Sequence, residues 1–281
     1  MKKTRKIVSV LLAVLLMFAT VSVSASAEDK LNYVVLGDSI AFGSGLANPV
    51  EACYGKIIAD TCDFDYKNYS VPGATTNDLI VRLSDELIFE DVKNADIISI
   101  SIGGNDFLMN NLVKLMFDSI VKNDYTAFDG IGESFYKNLT EIIGIIRGGN
   151  ENALILMQTL YNPQEGYLKE PYQQGADRIN AGILRYAEEN PGEIVVVDIG
   201  NALKDNAENF AGDAIHPSAK GNELIAKEIL SVLYSKNATD KTELNITTEG
   251  KDFNISPVFA WSFKIYGVLF HFISVVFGPV I

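Results

Sequence analysis

Short β-branched runs alternate along this chain with longer stretches in which apolar residues return every three or four positions. The short runs lie at residues 32–37, 64–70, 95–104, 152–160 and 193–200. The most apolar of them, at 97–102 and 194–197, suit strands covered on both faces, since a strand with one face in water alternates apolar with polar residues. The helical stretches lie between, at about 50–60, 76–90, 107–146, 172–190 and 218–235. Such alternation predicts βαβ units, hence an α/β fold with a parallel sheet layered between helices. Functional residues are then expected at the carboxyl ends of the strands.

Both ends of the chain depart from this rhythm. Lys2, Lys3, Arg5 and Lys6 precede an apolar run at 7–21, and Ala25-Ser26-Ala27 offers a small-x-small cleavage site. Residues 1–27 therefore read as a signal peptide, and the protein is expected to be exported, to the extracellular space or the cell surface. Residues 28–235 are long enough for one catalytic domain with a single core. Residues 236–256 turn polar and read as a linker. Residues 257–281 form an apolar tail on which Lys264, Gly267, His271, Ser274 and Gly278 make one narrow small-or-polar stripe if the tail is helical. The tail is long enough to span a bilayer, but it could also lie in the interface or fold back on the domain; membrane contact is ranked ahead of fold-back.

Charge narrows the partners. The chain carries −13, and removing the four basic residues of the signal segment takes it to −17. Such a surface repels polyanions, so nucleic acid is not expected as a partner, nor is strong electrostatic docking on anionic lipid. The composition leaves the oligomeric state open. Cys53 and Cys62 are expected to be unpaired thiols, because one helix through both would hold their Cα atoms roughly 13 Å apart, beyond the ~7 Å a disulfide spans. With only His216 and His271 in the chain, no His-rich metal site can be built, and neither metal nor cofactor is expected.

Candidate chemistry begins at VVLGDSIAFGSG, residues 34–45, where a strand runs into Gly37-Asp38-Ser39. A serine at a strand-to-helix turn exposes its hydroxyl beside backbone N–H groups, as a nucleophile requires. Taken alone, such a turn is often only a turn. A serine also needs a base, and His216, in the polar loop GDAIHPSAKG, is the better placed of the two histidines, with Asp213 three residues earlier able to orient it. Oxyanion donors are offered by Gly73 in SVPGATT and by the Asn105 amide in SIGGND. All of these fall at predicted strand ends or in the loop that would face them.

The sequence at this point resembles the SGNH, or GDSL-type, hydrolases: GDSIAFG is similar to block I of that family, VPGATT to block II, GGND to block III and DAIHP to block V. The resemblance covers about residues 31–235, with Ile40 where the family name has leucine. It implies a flavodoxin-like three-layer α/β/α sandwich with a five-stranded parallel sheet. It also implies Ser39 as nucleophile, His216 as base, Asp213 as its orienting acid, and Ser39 N–H, Gly73 N–H and Asn105 Nδ2 as oxyanion donors.

The family includes lipases, lysophospholipases, thioesterases and carbohydrate O-acetyl esterases, so the substrate is argued separately. Phe107, Leu108, Met109, Leu112, Val113, Leu115, Met116 and Phe117 crowd just after Asn105, and either line an acyl pocket or face the core. Lipid or lysophospholipid esters are expected first and a carbohydrate O-acetyl ester second. A non-catalytic surface module on the same fold is the third reading, though a binder has no use for the intact set of site residues.

Overall fold

The computed structural model describes residues 30–204, 206–254 and 258–277. The expected signal peptide lies outside the described residues. Among those residues, β1 (Asn32–Gly37), β2 (Asp65–Asn68), β3 (Ile97–Ser101), β4 (Leu154–Gln158) and β5 (Val195–Val197) form one sheet in the order β2-β1-β3-β4-β5, every pairing parallel. Each strand sits inside a short run picked out from the sequence, and β2, Asp-Tyr-Lys-Asn at the edge of the sheet, is the polar one. Central β3 is buried at all five positions, which is why its residues read as a run and not as an alternation.

In chain order the helices are α1 (Ser39–Phe42), α2 (Pro49–Ala52), α3 (Tyr54–Cys62), α4 (Thr76–Arg82), α5 (Glu86–Lys93), α6 (Gly104–Leu108), α7 (Leu112–Lys122), α8 (Thr126–Gly149), α9 (Lys169–Glu189), α10 (Ile199–Ala202), α11 (Ala219–Ser235) and α12 (Val258–Phe277). Val34, Leu36, Ile98, Ile100, Ile155 and Met157 leave the sheet on one face and meet α4, α5, α8 and α9. Tyr33, Val35, Ile97 and Leu156 leave it on the other and meet α1, α3 and α11. The result is the expected three-layer sandwich. Each fully buried Ile or Leu contributes about 1.5–3 kcal/mol, so these two apolar layers hold the sheet in place.

Three of the predicted helices are divided, each at a residue that stops a helix. Asp85 caps α5, its carboxylate accepting from the N–H groups of Leu87 and Ile88, and this ends the stretch begun by α4. Asn111 and Asn123 take left-handed φ values of 48° and 52°, which cut the long helical insert into α6, α7 and α8. Asparagine tolerates that conformation better than most residues. Cys53 separates α2 from α3; both cysteines are free, Cys53 buried and Cys62 half-buried.

The polar stretch after α11 lies along the domain. Its Lys251 carbonyl accepts from Ala47 N–H at 2.7 Å, Phe253 N–H donates to Gly45 at 2.7 Å, and Asp252 accepts from Ala219 N–H at 2.7 Å. Helix α12 then packs against α7 and the turn Gly166–Leu168. Phe270 meets Phe117 edge to face at 5.7 Å, and His271 stacks on Tyr167 at 4.0 Å. Gly267 and His271 of the small-or-polar stripe lie on the face that docks, together with Phe270 and Ile273: a Cβ on Gly267 would come within 3.1 Å of Leu168. Among the described residues no helix is long and apolar enough to cross a membrane.

Candidate active site

The carboxyl ends of β1 and β3 lie unusually close, and glycine permits it. Gly37 has φ +145°, and a Cβ there would sit 2.1 Å from the Ser101 carbonyl oxygen. The chain therefore turns out of the sheet at once, Asp38 N–H donating to Ser101 O at 3.0 Å. The Asp38 carboxylate accepts from Ile40 N–H at 2.9 Å and caps α1. Ser39 is thus the first residue of α1, half-buried, with its own N–H left unbonded among the described residues.

Gly73 lies after β2 in a loop fixed to β1 by Val71 N–H donating to Gly37 O at 2.9 Å. Its φ is +85°, and its N–H likewise has no partner among the described residues. Helix α4 follows, started by a capping box in which Thr75 and Asp78 satisfy each other's backbone N–H. Asn105 is the second residue of α6, whose cap is Gly103, and its Nδ2 donates to Ala74 O at 2.9 Å with Asp38 Oδ2 at 3.5 Å. The amide that would meet an oxyanion is therefore tied to the same loop that carries Gly73.

His216 is oriented from below. Asp213, buried, accepts from the N–H groups of Ile215 and His216 at 3.0 Å through Oδ1, while Oδ2 meets His216 Nδ1 at 2.5 Å. Burial pushes the Asp213 carboxyl up, but the hydrogen bonds and charge of His216 together with the backbone N–H groups outweigh it and hold the carboxyl below its usual range. The loop is braced further by Tyr161, whose hydroxyl donates to Ile215 O at 2.7 Å, and by Gln164, which donates to Ala214 O at 2.8 Å. With Nδ1 engaged by a carboxylate, Nε2 is the nitrogen left to exchange a proton.

Ser39, Gly73, Asn105 and His216 all line one pocket of about 350 Å³. Ser39 Oγ and His216 Nε2 share its wall without a direct hydrogen bond, and neither has another partner among the described residues. Apolar side chains complete it: Leu108, Met109, Leu112, Leu160, Tyr161 and Tyr172. The crowded segment after Asn105 thus divides. Leu108, Met109 and Leu112 face the pocket, Phe107 and Leu115 enter the core, and Met116 and Phe117 meet α12.

Two sets of residues escape sequence reasoning. Tyr161 and Tyr172 reach the pocket from the segment after β4 and from α9, with no motif around them. Asp106 accepts from Thr76 N–H at 3.1 Å and from the Thr76 hydroxyl, which also accepts from Asn138 at 2.8 Å, so one polar link ties α4, α6 and α8 beneath the donors. Burial raises the Asp106 carboxyl above its ordinary range. It raises Asp38 further, to about 7, since this carboxyl is wholly enclosed and its Ile40 hydrogen bond and the nearby His216 offset only part of the desolvation.

A doubly wound α/β/α sandwich with such a pocket above its strand ends defines the class, a carboxylic ester hydrolase. The chain belongs to the GDSL-like lipase/acylhydrolase family, whose model matches residues 35–224. The spore germination lipase LipC of Bacillus licheniformis is 26% identical over 217 residues, 73% of this chain and 98% of that protein. The uncharacterized protein YpmR of Bacillus subtilis (strain 168) is 26% identical over 247 residues, 78% of this chain and 92% of that protein. Among solved structures, the lipase Lip_vut3 from a goat rumen metagenome superimposes with a TM-score of 0.58 at 25% identity, over 73% of this chain and 98% of that one. The five-stranded parallel sheet with its flanking helices is the SGNH hydrolase fold shared with such neighbours.

Proposed function

We propose that this protein is an exported serine esterase that cleaves acyl esters of lipids, lysophospholipids foremost, through an acyl-enzyme. The observation that carries this reading is the convergence of Ser39, Gly73, Asn105 and His216 on one apolar-walled pocket, with Asp213 against the far nitrogen of His216. His216 Nε2 takes the Ser39 proton as Oγ attacks the ester carbonyl. The resulting oxyanion is met by the N–H groups of Ser39 and Gly73 and by Asn105 Nδ2. Collapse expels the alcohol, protonated by His216; His216 then activates water, which releases the acid and restores Ser39.

The apolar wall supports an acyl chain longer than acetyl, because Leu108, Met109 and Leu112 offer such a chain burial that an acetyl group cannot use. The leader read at residues 1–27 supports export. The outward face of α12 supports contact with a lipid surface, since Ile265, Val268, Leu269, Phe272, Val275 and Val276 are all exposed there.

The test is a series of p-nitrophenyl esters from acetyl to octanoyl, run on wild type and Ser39→Ala. Wild type is expected to prefer the longer chains, and Ser39→Ala to lose on the order of 10⁴–10⁶-fold in kcat. Preference for acetyl with rejection of octanoyl would replace the lipid reading with a carbohydrate O-acetyl esterase. Undiminished hydrolysis by Ser39→Ala would remove the acyl-enzyme.

A further inference from the structure

Besides Ser39, three hydroxyl-bearing side chains line the catalytic pocket: Ser44, Tyr161 and Tyr172. The other polar side chains around it are committed to the fold or to the reaction. Asp38 accepts from Ile40 N–H, Asn105 donates to Ala74 O, and Asp213 holds His216 from behind. Tyr161 is committed as well, its hydroxyl donating to Ile215 O at 2.7 Å. The hydroxyls of Ser44 and Tyr172 have no hydrogen-bond partner among the described residues.

Tyr172 is delivered by a close helix contact. Helix α9 approaches α6 where Gly175 faces Phe107, a Cβ there coming within 3.0 Å of the ring. Tyr172 lies three residues earlier on the same face of α9 and sets its ring edge to face on Phe107 at 5.0 Å. Packing therefore fixes the ring, while no residue of the protein holds the oxygen. Burial, and after it the negative charges of Asp38 and Asp213, push this hydroxyl above its ordinary range, so it keeps its proton and donates. Asp213 is the carboxylate behind His216, and a hydroxyl that feels its charge lies toward the His216 end of the pocket.

Ser44 reaches that end from β1. It follows α1, its N–H donating to Ser39 O at 2.9 Å, and the next residue packs on His216 itself: a Cβ on Gly45 would lie 3.0 Å from His216 Cβ. The pocket thus has two ends of different chemistry. Leu108, Met109 and Leu112 bring no polar side-chain atom, whereas two uncommitted hydroxyls stand toward His216. His216 returns the proton to the leaving alcohol, so the alcohol half of the ester takes the hydroxyl end and the acyl chain the apolar one. An O–H covered by a plain alkyl alcohol gives up its water for nothing, whereas an alcohol with hydroxyls of its own restores the bond.

We propose that Tyr172, seconded by Ser44, determines specificity for the alcohol half by hydrogen-bonding a free hydroxyl of a polyol monoester. The proposal rests on the reading of Ser39 as the acyl-accepting nucleophile and narrows the lipid esters that fit. They are those with a hydroxyl beside the ester bond, as a monoacylglycerol or a lysophospholipid has and a fully acylated glycerol has not.

The test compares 1-octanoylglycerol with propyl octanoate, which keeps the acyl chain and the three-carbon alcohol but lacks the hydroxyls, on the full-length protein. Tyr172→Phe retains the ring on Phe107 and removes an oxygen that no residue of the protein bonds. The ratio of kcat/KM for the glycerol ester to that for the propyl ester is expected to fall about three- to tenfold in Tyr172→Phe, the net worth of one neutral hydrogen bond, and further in Ser44→Ala/Tyr172→Phe. A purely structural loss lowers both rates and leaves their ratio, so an unchanged ratio overturns the proposal whatever happens to either ester alone. A second arm needs no turnover: calorimetry of the ether 1-O-octylglycerol binding to Ser39→Ala, with affinity expected to weaken by a similar factor when Tyr172→Phe is added. Equal affinity overturns the assignment. Weakened affinity in a protein whose wild type hydrolyses neither ester strikes the esterase reading and leaves Tyr172 as the hydroxyl-binding group.

Discussion

The floor and the roof of the ester pocket are built by different physics. The floor, from Ser39, Gly73 and Asn105 to the Asp213–His216 loop, is positioned by backbone turns and hydrogen bonds, each donor or acceptor tied to a sheet end or to a neighbouring loop. The roof, made by Leu108, Met109, Leu112 and the helices α7 and α12 behind them, is positioned chiefly by apolar contact, and Met109 is 66% exposed. Hydrogen bonds set direction to a fraction of an ångström, whereas apolar contacts set area and tolerate sliding. A hydrolase needs the first kind where atoms react and can use the second where a flexible chain lies.

The largest expected effect lies in the floor. Asp213→Asn keeps an oxygen for the N–H groups of Ile215 and His216 but turns an amide N–H toward Nδ1. His216 is then held in the tautomer whose Nε2 already bears a proton, and kcat is expected to fall on the order of 10⁴-fold with the melting curve little changed. A kcat within tenfold of wild type would show that His216 needs no orienting carboxylate here.

Next comes Asn105→Ala, which removes one of the three proposed oxyanion donors and is expected to cost on the order of 10²–10³-fold in kcat with KM nearly unchanged. Asn105 also donates to Ala74 O, so the thermal transition must be recorded beside it. A matching loss on acetyl and octanoyl esters is the sign of a floor residue. A loss confined to the long ester would move Asn105 to the roof's side of the comparison.

The floor was the legible part. Gly37-Asp38-Ser39, Gly73, Gly103-Gly104-Asn105 and Asp213-x-x-His216 each carry their geometry in a few adjacent residues, and β1 and β3, which deliver the first and third, are plain runs rich in Val and Ile. The roof was less so. That Leu112 faces the pocket while Leu115 enters the core depends on where Asn111 breaks the helix, and nothing local says that Phe117 will meet Phe270, 153 positions later. The Thr76–Asp106–Asn138 link and the paired tyrosines Tyr161 and Tyr172 were invisible for the same reason, since each joins segments that only the folded chain brings together.

A roof substitution should therefore change preference before it changes chemistry. Phe270→Ala removes the edge-to-face partner of Phe117 and leaves a void beside Met116 and Leu168, loosening α7 at the end that bears Leu112. The expected result is a fall of roughly three- to tenfold in kcat/KM for octanoyl esters relative to acetyl, with acetyl turnover retained. Equal losses on both esters would mean that α12 holds the floor as well, and the division drawn between the two regions would fail.

Asp38 is the floor residue whose contribution is read in stability and not in turnover, and it changes with pH. Its carboxyl is enclosed, and burial raises it to about 7 from an ordinary 3.8. Between those values the folded protein keeps a proton that the unfolded chain has released, so the stability it contributes is full below about pH 4 and drains away as pH rises towards 7. Asp213, held low, acts in the opposite sense and loses its contribution only on acidification. Asp38→Asn retains an acceptor for Ile40 N–H but has no proton to release, and should flatten the decline of Tm between about pH 4 and 7. A rise from 3.8 to about 7 corresponds to roughly 4 kcal/mol, so at about 2–4 °C per kcal/mol for a chain of this size the difference is on the order of 10 °C and is best read as a slope across several buffers. A variant whose Tm falls as steeply as that of wild type over this range would place the proton elsewhere, with Asp106, raised by its own burial, the next residue to replace.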